Sequence, residues 1–166
     1  MSARAVIDSL EFARAGEQLI GEAPVSALAR LADSLYDTQG ELKFELTGGS
    51  DSKQRLRLLL AVAGAINLKC QRCLGSLAFP LSVQSKLLLL TGDAGGDTAE
   101  IDDLDGVPPD AHADVWSLVE DEVLLAIPLA PRHTEGLCSA AVDSAGKPSA
   151  SPFAALAKLK QERIKN

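Results

Sequence analysis

Aromatic side chains are scarce in this 166-residue chain, which has one Trp, one Tyr and four Phe, 4% in all. A core must therefore rest on Leu, Val, Ile and Ala. Stacking of single-stranded bases needs several aromatic faces on one surface, so base-specific recognition of that kind is disfavoured. Long apolar runs are absent as well. The longest, residues 58–68, includes Asn67 and lies between Arg57 and Lys69. A spanning helix needs ~20 apolar residues, so no membrane span is expected. The first residues carry no apolar block with a small-residue cleavage site, and the chain reads as one without a secretory leader. Cysteines number three, an odd count that argues against a disulfide framework and for a reducing cytoplasm. G-x-S-x-G, Walker A and H-E-x-x-H motifs are all missing, so neither an enzyme nor a small-molecule substrate is expected.

Basic residues are missing from one long stretch. No Lys or Arg occurs between Lys86 and Arg132, whereas residues 93–122 hold eleven acids. The formal net charge of −7 argues against a nucleic-acid binder, but outside that window sixteen basic residues face twelve acidic ones. Lys53, Arg55, Arg57, Lys69, Arg72 and Lys86 fall in one stretch, and Lys158, Lys160, Arg163 and Lys165 close the chain. Such asymmetry permits local contact with phosphate or an acidic partner; ordinary solvated surface is the alternative.

The ordinary apolar content suits one α+β domain over residues 1–138, with a long acidic loop at 92–114. Residues 11–22 read equally as a short helix or as a strand interrupted by Gly16. Val25, Leu28, Leu31, Ala32 and Leu35 recur at threes and fours after Pro24, which predicts a helix over 24–36. Leu42, Phe44 and Leu46 alternate with polar residues, as in a half-buried strand. Further strands are expected at about 55–62, 65–69 and 77–91, with Pro80 at an edge or bulge. Asp114 looks like the N-cap of a helix reaching 127, with Trp116, Val119, Val123 and Ile127 as its apolar stripe and Leu118 and Leu125 on its flank. Residues 139–151 are small and polar, a linker, and 152–166 read as a basic C-terminal helix. Together these predict an antiparallel twisted sheet or partial β-barrel of four to six strands with flanking helices.

Cys70-Gln71-Arg72-Cys73 is the sharpest chemical feature. Two thiolates two residues apart can hold one tetrahedral metal from a tight turn, and Gly75 suits the positive φ such a turn often wants. His133 and Cys138 would complete a Cys3His set for structural zinc. A reduced pair at a β-turn and a redox dithiol are the alternatives. Redox chemistry fits less well, because the flanks read as strands and no helix follows. Asp102-Asp103 reads as solvated loop, and His112 carries no assignment. Glu120, Asp121 and Glu122 are adjacent on the second helix, where Asp121 or Glu122 would lie beside the apolar stripe, able to clamp a basic side chain such as Arg132 or to receive a partner.

Four blocks resemble the YceD family of large ribosomal RNA subunit accumulation proteins: residues 68–73 (LKCQRC), 118–133 (LVEDEVLLAIPLAPRH), Cys138, and 152–160 (PFAALAKLK). Their order and spacing fit from about residue 40 onward; residues 1–40 match no motif. The resemblance implies a bacterial cytoplasmic protein that supports synthesis, processing or stability of 23S rRNA, and does not itself say whether the cysteines carry zinc. It points to a non-enzymatic ribosome-biogenesis factor that binds rRNA, a pre-50S particle or a basic ribosomal protein. Lys69, Arg72, Arg132, Lys158 and Lys160 are the expected contacts. A protein-interaction adaptor acting through Glu120, Asp121 and Glu122, with no RNA contact, is the rival.

Overall fold

The computed structural model describes residues 5–90 and 105–138. The linker and basic helix expected beyond 138, with Lys158 and Lys160, lie outside them. Strand β1 (Val6–Ile7) leads into helix α1 (Ser9–Ala15). Asp8 caps α1 by accepting from the N–H groups of Leu10 and Glu11, and Gly16 ends it at φ +64. Strand β2 (Gln18–Pro24) follows at once, so the ambiguous 11–22 stretch is a helix and then a strand. After it come β3 (Glu41–Ser50), β4 (Leu56–Lys69), β5 (Ser76–Leu89), β6 (Asp105–Val107), β7 (Ala113–Asp114) and helix α2 (Val115–Ala126).

Strands β2 to β6 form one curled, half-barrel sheet in sequence order, antiparallel except for the parallel β5–β6 pair. The two strands expected at 55–62 and 65–69 are one continuous β4. Its inward positions Leu58, Leu60, Val62, Ile66 and Leu68 keep a strict period of two and are all buried. Pro80 lies where β5 has only β4 beside it among the described residues, the edge position its missing N–H requires. The last third of the expected acidic loop is partly paired backbone: β6 joins β5, and β7 pairs with β1.

No helix forms over 24–36. Two 3₁₀ turns, Val25–Ala27 and Ala29–Leu31, give way to a single β-bridge between Leu35 and Leu68. Tertiary partners take the backbone hydrogen bonds a helix would have used. The Arg30 N–H goes to Glu120, the Tyr36 N–H to the Asn67 carbonyl, and the Ser34 carbonyl accepts from Lys69. The apolar spacing still marks the right side chains, since Val25, Leu28, Leu31 and Leu35 are all buried. They share one core with Phe12 of α1, the inner face of the sheet and Val115, Val119 and Val123 of α2.

Candidate metal centre

Six residues, Cys70 to Gly75, turn β4 into β5. The turn closes on itself: the Cys70 N–H donates to the Gly75 carbonyl (2.9 Å) and the Leu74 N–H to the Cys70 carbonyl (2.8 Å). Its left-handed residue is Leu74, at φ +60, and not Gly75 as the sequence suggested. The segment after α2 returns to the turn, where the Gln71 N–H donates to the Pro131 carbonyl at 2.8 Å. That return brings His133 and Cys138 to Cys70 and Cys73.

The four donor atoms all lie within 4.8 Å of one another. Cys70 Sγ is 3.7 Å from Cys138 Sγ. His133 Nδ1 is 3.5 Å from Cys73 Sγ and 3.6 Å from Cys138 Sγ. Zinc–sulfur bonds of ~2.3 Å and zinc–nitrogen bonds of ~2.05 Å at tetrahedral angles put sulfurs ~3.8 Å apart and sulfur and nitrogen ~3.6 Å apart. These three spacings match those around one tetrahedral ion. The outer contacts fit as well: His133 Nε2 is 3.0 Å from the Ser76 carbonyl, to which it donates when Nδ1 is left free for a metal. Arg72 Nε donates to Cys138 Sγ at 2.9 Å.

Electrostatics favour thiolate at two positions. Burial is the largest single influence on Cys70 and opposes ionisation, but N–H groups of Cys73, Arg72 and His133 together outweigh it and bring the thiol down to about 5. Cys138 is also lowered: burial again opposes, and hydrogen bonds from Arg72 and His133 prevail. At Cys73 the Gly75 N–H favours thiolate, yet burial and the sulfurs of Cys70 and Cys138 raise the thiol overall. His133 is raised by its contacts with the Cys138 and Cys70 sulfurs. A set of thiolates gathered by N–H donors beside an imidazole is a ligand set for a borderline-soft cation.

Residues 58–160 match the family described as large ribosomal RNA subunit accumulation protein YceD, a span holding all four donors. The chain belongs to the YceD family. It is 26% identical to a YceD protein of Haemophilus influenzae, itself named a large ribosomal RNA subunit accumulation protein, over 94% of this chain and 95% of that one. No solved structure matches the chain. Sequence reasoning thus placed this YceD chain in its family and found its four-residue cluster.

The other residues singled out divide. Lys69 ends β4 half-buried, Arg72 is exposed on the turn, and Arg132 is exposed next to His133. Glu120 and Asp121 do clamp a basic side chain, but it is Arg30 and not Arg132: Arg30 Nε donates to Glu120 at 2.8 Å and a terminal nitrogen to Asp121 at 2.6 Å. The Glu120 and Asp121 contacts raise the Arg30 guanidinium above its ordinary value. Glu122, 5% exposed, accepts from the Ser85 hydroxyl. Leu125, expected on the apolar flank, is exposed. Nothing in the sequence pairs Arg30 with a carboxylate ninety positions away.

Arg72 donates to one of the candidate donor sulfurs, so its loss is expected to be felt by a metal bound there. Arg72→Ala is expected to weaken zinc binding ~10–100-fold, the usual effect of removing an outer-shell partner, measured by competition against a chromogenic chelator.

Proposed function

We propose that this chain is a non-enzymatic ribosome-biogenesis factor. It supports synthesis, processing or stability of large-subunit (23S) rRNA in the cytoplasm by binding rRNA or a pre-ribosomal particle. Cys70, Cys73, His133 and Cys138 hold a structural zinc ion. The family match through both metal-bearing segments carries this reading, and the name of the Haemophilus relative supports it. The hairpin that presents the turn adds a physical reason: residues 56–89 contain four cations, Arg57, Lys69, Arg72 and Lys86, and no acid. Phosphate contacts made by such cations release counterions and bind in a salt-dependent way. No helix among the described residues is long and apolar enough to cross a membrane.

The test is in-cell UV crosslinking followed by stringent recovery, with RNA and protein identified from one sample. Crosslinked 23S precursor is expected. A protein partner recovered with no RNA would replace RNA contact with the adaptor reading, although Glu120 and Glu122 already have partners inside the chain. Lys69→Glu and Arg132→Glu are the variants to use, since neither residue touches a donor sulfur. Each is expected to weaken particle association and reduce the salt slope by ~1.

A further inference from the structure

Residues 128–138 carry two of the four donors, yet none of them belongs to the hydrophobic core. Leu129 and Leu137 are exposed at 105% and 69%, and of the segment only Pro131 is buried. Among the described residues its long-range hydrogen bonds go to residues 70–76: Gln71 N–H to the Pro131 carbonyl, His133 Nε2 to the Ser76 carbonyl, and Arg72 Nε to Cys138 Sγ. The four donor atoms, two from the turn and two from this segment, all lie within 4.8 Å of one another, so a single ion bound to them would join the two.

We propose that the metal ion is a clasp: it holds residues 128–138 on the β4–β5 turn. The clasp rests on the zinc reading above and deepens it. Occupancy of the centre governs the docking of one strap, while the sheet, α1 and α2 keep their own apolar packing and stand without it.

Hydrogen exchange on the full-length chain tests this, comparing zinc-loaded protein with protein stripped by a strong chelator, and with metal per chain measured on both. The expected result is about one zinc per chain, with exchange over 70–76 and 128–138 at least tenfold faster after stripping and close to that of unprotected amides, while 42–48 and 58–62 stay strongly protected. Cys138→Ser, which alters only the strap, should reproduce that pattern without chelator. Three results overturn the clasp, and they differ. If no zinc is retained, the metal reading falls with it. If zinc is retained but strap exchange does not respond to its removal, the metal reading survives and the clasp does not. If 42–48 and 58–62 lose their protection together with the strap, the ion holds the whole domain and not a strap.

Discussion

Cys70→Ser is expected to take the chain from about one bound zinc to none that survives gel filtration. Cys70 is the only donor with no exposed surface, and backbone N–H groups from both sides of the site converge on its sulfur. A serine hydroxyl at that position stays protonated near neutral pH and is a poor ligand for a borderline-soft ion. Three donors would remain, the arrangement of an open site and not a closed one. The stability consequence follows from linkage: at free zinc a thousandfold above its dissociation constant, binding contributes about 4 kcal/mol to the folded state. Thermal unfolding of the wild type should therefore respond to added zinc and chelator, and that of Cys70→Ser should respond to neither. A variant that keeps one zinc per chain would remove Cys70 from the ligand set.

Gly48→Ala is expected to destabilise the fold by about 3 kcal/mol or more, the upper range for overpacking. Gly48 faces inward on β3, where α1 crosses it. A methyl there would land on the Phe12 carbonyl oxygen and within 2.8 Å of Ala13 Cα. Both are backbone atoms of a capped helix and cannot turn aside as a side-chain tip would. The neighbouring Gly49 is the control, because a Cβ there meets nothing within 4 Å. Gly49→Ala should be neutral or slightly stabilising through reduced freedom of the unfolded chain. Urea unfolding of the two variants side by side checks the contrast; equal midpoints would mean that α1 can lift from the sheet at little cost.

The strands were legible because alternation is a local signal. Leu42, Phe44 and Leu46 need only one another to declare a face, and the same parity runs down β4. At 24–36 the apolar spacing identified buried side chains correctly and their backbone wrongly. Nothing within those thirteen residues shows that Glu120, Asn67 and Lys69 will claim groups a helix would have used. The metal cluster was legible through chemistry and not through spacing. Cys70 and Cys73 advertise a site locally, but His133 and Cys138 joined them only as residues of the right donor type. The clamp of Glu120 and Asp121 on Arg30 shows the limit, since carboxylates and guanidinium groups are too common for type alone to choose the partner.

The donors are also separated in time. Cys73 precedes His133 by sixty residues, and at synthesis rates of about 5–20 residues per second the two hairpin thiols exist for roughly 3–12 s before the other pair is made. Over that interval the nascent chain offers two ligands of a four-ligand site. The four-donor set is complete only once residue 138 has been added, so an ion that needs all four would be bound after the sheet-forming segments have been synthesised.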